Sequence, residues 1–180
     1  MRRYAVLTAT GPDRKGLVAE LTEFLLKYGA NIEDSRMAVL GGDFAVILLF
    51  SASGRDLEAV LENKEKIEKE IAERTGLNVF IRPTSSRPSR AEEGLIWNIH
   101  AVALDHPGIV HRLAQAIADK GINILELRSA ISPAPVSAAP LFSLFMKVNV
   151  PKGLKPASLR ESLSKLADEM GVDLEVRPEP

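Results

Sequence analysis

The chain has 180 residues, 46% of them hydrophobic, which is enough for one ordinary domain or two small packed cores. Its 23 basic and 24 acidic residues leave a formal charge of −1, so no overall field draws it to nucleic acid or to an anionic membrane surface. It contains no cysteine, which removes disulfides, thiolate catalysis and Cys-ligated zinc or iron–sulfur sites.

The opening MRRYAVLTATGPD reaches a Gly-Pro-Asp turn after a short apolar run, too early for a secretory signal, and no stretch approaches the ~18 uninterrupted apolar residues of a membrane span. The expectation is a soluble, cytoplasmic protein. Arg2–Thr10 is short, apolar and partly β-branched, and predicts a strand. Leu17, Val18, Leu21, Phe24, Leu25 and Tyr28 then follow one-face helical spacing up to Gly29. NIEDSRMAVL and DFAVILLFSA flank Gly41-Gly42 and predict an antiparallel hairpin. A second helix is expected over Asp56–Gly76, with Leu57, Val60, Leu61, Ile67 and Ile71 as its stripe, before a last strand LNVFIRP. Thr84–Gly94 is polar, carries a proline and lacks apolar periodicity, so it reads as a linker.

The same succession then begins again. Ile96–Leu104 predicts a strand, and Ile109, Val110, Leu113 and Ile117 a helix ended by Gly121. NILELRSAI and LFSLFMKVNV predict two more strands, joined by a longer loop. Ala157–Gly171, striped by Leu159, Leu163, Leu166 and Met170, predicts a helix, and VDLEVRP a final strand. A single offset carries Asp13 onto Asp105, Gly16 onto Gly108, Gly29 onto Gly121, Asn31 onto Asn123 and Arg36 onto Arg128. The fold class is therefore α+β: two tandem ferredoxin-like βαββαβ domains, each a four-stranded antiparallel sheet with two helices on one face. Residues 1–83 form the first domain, 84–94 the linker and 95–180 the second. The open sheet faces are expected to be apolar rather than basic.

No catalytic pattern emerges. His100, His106 and His111 fall in no His-Glu-x-x-His frame and read as structural, and neither a Gly-x-Ser-x-Gly elbow nor a Walker phosphate loop occurs. The expectation is a non-enzyme without cofactor or metal. Neither RYAVLTAT nor DFAVILLF carries the Lys/Arg-Gly-Phe pattern of base-stacking sheets, and every helix is used in packing on its own sheet, so no direct nucleic-acid contact is expected.

The repeated turns GPDRKGLV and ALDHPGIV carry the functional reading. In one view Asp13 or Asp105 caps free helix amides, and Gly16 or Gly108 lets the backbone pass close to a neighbour. In the other, free amides at the helix start hold a carboxylate while an Asp or Asn side chain holds an ammonium, as a free amino acid requires. Asn31 and Asn123 have two readings as well: a ligand contact on the same edge region as the turn, or a residue tolerant of left-handed backbone after a glycine. The ligand-binding candidates are thus Asp13, Gly16, Asn31, Asp105, Gly108 and Asn123.

At DRKG, DHPG, GANI and GINI the chain resembles the ACT domain family, small βαββαβ regulatory modules that bind amino acids, usually at interfaces between modules. The likeness covers nearly the whole chain in two copies. The GPDRKGLV opening and the loop ISPAPVSAAPLFSL bring it nearest to tandem ACT regulators of the glycine cleavage system. This resemblance implies a sensor of glycine or a similar small amino acid that acts through a partner protein, with duplication supplying the two halves of a pocket formed between modules. A homodimer is expected through any sheet edge left exposed. The Pro/Ala-rich loop Ser132–Pro140 is its candidate docking surface. The competing reading is a structural dimerisation module with no small-molecule ligand.

Overall fold

A computed structural model describes residues 2–84, 94–135 and 138–179. The chain divides into two compact units, Met1–Ser89 and Arg90–Pro180. Of the linker expected over 84–94, only Thr84 and Gly94 are among the described residues.

The first unit runs β1 (Arg2–Pro12), α1 (Leu17–Lys27), β2 (Asn31–Leu40), β3 (Asp43–Ser53), α2 (Gly54–Glu62), α3 (Lys64–Thr75) and β4 (Asn78–Thr84). The second runs β5 (Leu95–Leu104), α4 (Ile109–Ala118), β6 (Asn123–Pro133), β7 (Pro140–Val150), α5 (Pro156–Met170) and β8 (Asp173–Pro178). Each holds one four-stranded sheet, ordered β2-β3-β1-β4 and β6-β7-β5-β8, with every hydrogen-bonded neighbour antiparallel. This is the predicted βαββαβ arrangement, formed twice.

Two periodicities build each core. Along β3, Phe44, Val46, Leu48, Phe50 and Ala52 are buried while the intervening Ala45 and Ile47 are exposed, as the two-residue repeat of a strand requires. Leu17, Leu21, Phe24 and Leu25 of α1 close over that face together with Leu57, Val60, Ile67 and Ile71. Val18, expected on the same stripe, is 44% exposed, because its neighbour Leu17 already takes the inward direction. In the second unit Leu113 and Ile117 meet Leu159 and Leu163 over Trp97, Ile99 and Ala101. Each fully buried leucine contributes about 1.5–3 kcal/mol.

The helix expected over Asp56–Gly76 is in fact two. At Asn63 the backbone leaves the helical region (φ −103, ψ 14), and its side-chain Nδ2 donates to the carbonyl of Ala59 at 2.9 Å, competing with the main chain for the same acceptor. The first of the two starts at Gly54 because Ser53 acts as N-cap, its hydroxyl accepting from the Asp56 N–H at 3.3 Å. Gly41 and Gly42 both take positive φ (61 and 93) and make the two-residue hairpin. In the second unit β6 and β7 extend to a Pro133–Pro140 pair, so the connecting loop is shorter than the expected Ser132–Pro140; Val136 and Ser137 within it lie outside the described residues.

The helix-free faces differ. In the first unit Ile47 (53%) and Phe80 (60%) are exposed, in keeping with an apolar face. The second unit's face is mixed: Val102 (37%) and Leu104 (64%) are exposed apolar residues, while His100 packs on Phe145 with centroids 5.0 Å apart and Arg128 covers the same ring at 4.8 Å. Its cations are paired with carboxylates, Lys147 with Glu179 at 2.6 Å, Arg128 with Glu126 at 2.9 Å, and Arg177 with Glu175. The charges of these three pairs balance around an aromatic pair on the two central strands.

Candidate functional site

The glycine of the strand-to-helix turn takes nearly the same backbone conformation in both units. Gly16 and Gly108 occupy the N-cap positions of α1 and α4 with φ 93, ψ −9 and φ 98, ψ −8. These are the dihedrals of the third residue of a type II turn, where glycine is favoured. A Cβ built on Gly108 meets nothing within 4 Å, and one on Gly16 meets only Glu20 Oε1 at 3.6 Å. Glycine is therefore needed for its backbone conformation, and the close-approach reading is not met.

Neither aspartate is a cap. The helices show no side-chain cap hydrogen bond, because Asp13 and Asp105 stand three residues ahead of the N-cap, out of line with the amides that a cap serves. Their backbone N–H groups instead extend the sheet ladder, Asp13 to the Gly42 carbonyl at 2.9 Å and Asp105 to the Pro140 carbonyl at 3.0 Å. Both residues are exposed beside the turn.

The asparagines lie elsewhere. Asn31 pairs with Ser51, which pairs with Tyr4, whereas Pro12 at the turn end pairs with Asp43. From Tyr4 to Pro12 is eight residue steps of about 3.3 Å, so Asn31 sits about 26 Å along the sheet from the turn. Asn123 is placed likewise, opposite Asn149 and level with Ile96, while the second turn follows Leu104. The expectation that both elements share one edge region is thus corrected: the helix carries the chain back to the end from which the first strand began. The left-handed reading of the asparagines is corrected too, since the positive φ belongs to Gly29 (64) and Gly121 (67) and both asparagines are strand residues. Asn31 donates to Glu33 Oε1 at 3.1 Å, which also accepts from the buried Ser51 hydroxyl at 2.6 Å and lies 3.5 Å from Arg2. Glu33 is the extra residue of a β-bulge, and Leu125 occupies the corresponding bulge in β6.

Two residues next to the turns were missed as site residues. Arg14 donates to both carboxylate oxygens of Glu20, at 2.6 and 2.8 Å, and from Nη2 to the Arg74 carbonyl at the end of α3, at 3.2 Å. His106 stands at the equivalent position, its Nε2 3.3 Å from the Met170 carbonyl at the end of α5. Both tie the turn to a helix C-terminus, where the exposed carbonyls favour a donor. The Arg14 hydrogen bond holds the Glu20 carboxyl below the ordinary glutamate range, and the same bond raises Arg14. The repeat offset pairs Arg14 with His106 and Glu20 with Arg112, and that comparison was the available signal. Among the described residues, no three His, Asp or Glu side chains are grouped to hold a metal, and no helix is long and apolar enough to cross a membrane.

The ACT domain model matches residues 3–74 and 99–177, one match for each unit. The chain belongs to the ACT domain family. The glycine cleavage system transcriptional repressor of Escherichia coli (strain K12) is 27% identical over 169 residues, 94% of this chain and 86% of that protein. A crystal structure of an unknown protein from Galdieria sulphuraria matches the whole of both chains with a TM-score of 0.82 and 30% identity. A second, of a protein provisionally named as a glycine cleavage system transcriptional repressor, covers 99% of this chain and 98% of that one at TM-score 0.69 and 21% identity, a likeness of fold. The likeness to these relatives spans both ACT units.

Proposed function

We propose that this tandem ACT protein is an amino-acid-sensing regulator, responding to glycine or a similarly small amino acid and acting through protein contacts, in the manner of a transcriptional co-regulator of glycine cleavage. The observation that carries the reading is the pairing of a duplicated ACT turn, alike in both units to within a few degrees, with similarity over 94% of the chain to a glycine cleavage repressor. Asp13, Gly16, Asp105 and Gly108 are the proposed turn contacts for the ligand's charged groups. Asn31 and Asn123, too distant to reach the same molecule within their own units, are proposed to complete the turn site of a second copy of the chain. Support for a homodimer comes from the exposed edge strand β2, where the Asp34–Arg36 pair would face its two-fold mate with charges crossed about Ser35.

The test is a thermal-shift screen of the full chain against the twenty amino acids, with calorimetry on any hit. A ligand bound only to the native state at a hundred times its Kd adds about 2.7 kcal/mol. A shift confined to small amino acids is expected. No shift at millimolar concentrations overturns the sensing role in favour of a ligand-free dimerisation module, and a monomer by sedimentation overturns the dimer.

A further inference from the structure

We propose that the first ACT turn is closed by the protein itself, the Glu20 carboxylate being held over Gly16 by Arg14, so that each chain takes its amino acid at the second turn only. This rests on the amino-acid-sensing reading above and narrows its four turn contacts to Asp105 and Gly108, with one ligand per chain.

The two turns are alike in backbone and unlike in charge. In the first, the guanidinium of Arg14 grips Glu20 with two parallel hydrogen bonds of 2.6 and 2.8 Å, while Nη1 also reaches the Lys15 carbonyl at 3.3 Å and Nη2 the Arg74 carbonyl at 3.2 Å. A two-pronged grip of this kind fixes the carboxylate in orientation as well as position. It leaves Glu20 Oε1 3.6 Å from the point where a Cβ on Gly16 would lie. The first turn of α1 thus already has its anion. A ligand carboxylate arriving there meets a like charge, and the cation that would receive it is occupied.

At the equivalent positions the second unit has His106 and Arg112. The charge in the first turn of α4 is reversed. Arg112 makes a 3.3 Å contact with Glu169, both side chains about half exposed, and such a surface pair holds its members weakly. The space over Gly108 is open to 4 Å. Helix ends with the same dihedrals cannot by themselves favour one unit; the exchange of a clamped glutamate for a loosely paired arginine does.

Isothermal titration of glycine, and separately of L-serine, into the full chain tests this. One molecule bound per wild-type chain is expected. Glu20→Ala and the milder Glu20→Gln should raise the stoichiometry to two, and Arg112→Glu, which copies the first unit's charge onto the second, should weaken wild-type binding about tenfold or more. Circular dichroism confirms that each variant is folded. Two molecules per wild-type chain, one molecule in both Glu20 variants, or unchanged affinity in Arg112→Glu overturns the closed-turn proposal while leaving amino-acid sensing intact. No binding of either amino acid by wild type and Glu20→Ala alike overturns both.

Discussion

Replacing Gly108 or Gly16 by alanine isolates the backbone requirement of the ACT turn. At φ 98 and 93 an L-residue enters left-handed space, at a cost of about 1–2 kcal/mol. The added methyl group contributes almost nothing, since nothing lies within 4 Å of it at position 108 and only a glutamate oxygen at 3.6 Å at position 16. For a unit of this size each kcal/mol moves Tm by about 4–8 °C, so each variant should lower its own unit's transition by about 4–16 °C. Asparagine, which tolerates positive φ, should recover part of the loss. Urea titration and scanning calorimetry of Gly→Ala and Gly→Asn at both sites provide the measurement. A loss above about 4 kcal/mol would mean that the chain packs tightly against the glycine, and no loss would mean that the turn does not need its dihedrals; either refutes the reasoning.

Lys15→Pro copies Pro107 into the first turn, where the Lys15 N–H serves no hydrogen bond among the described residues; it should stabilise by about 0.4–1 kcal/mol in urea, and destabilisation would show that the two turns differ in their second residue. Gly94→Ala places a Cβ 2.0 Å from Asn149 Oδ1 and 2.5 Å from the Val150 carbonyl, so the end of the β5–β7 ladder must move. A loss of about 1–3 kcal/mol is expected, and an unchanged urea midpoint contradicts that packing. The Glu20 carboxyl, lowered in the folded state by its hydrogen bond to Arg14, contributes stability that is full above the unfolded carboxyl's pKa and is lost as pH falls through the folded one. Carbon-13 NMR titration should show the Glu20 carboxyl titrating below the ordinary glutamate range, and higher in Arg14→Ala; a midpoint that does not move with Arg14 refutes the clamp.

Much of the architecture was written locally and could be read. The two-residue alternation of Phe44–Ala52, the helical spacing of Leu17, Leu21 and Phe24, and the Gly41-Gly42 hairpin each report on neighbours a few residues apart. Because the repeat preserves those local signals at one offset, the duplicated βαββαβ order followed without coordinates. Asn63 was visible mid-helix, but whether its side chain would take the Ala59 carbonyl or point to solvent depended on the packing of α2 and α3 on the sheet.

The site depended on contacts between distant parts of the chain. Which end of the sheet a residue occupies depends on the pairing of β1 and β2 with the intervening β3, and that pairing separates Asp13 from Asn31 by most of a strand length. Arg14 finds Arg74 sixty positions away, and His106 finds Met170 sixty-four away, only because each sheet folds its last helix end beside its first turn. The sequence alone specified the ACT turn twice over, glycine included, since φ preference is a property of one residue and its neighbours. Charge across that turn, clamped by Arg14 in one unit and open beside Arg112 in the other, was decided by tertiary structure, because an ion pair depends on where two side chains meet in space.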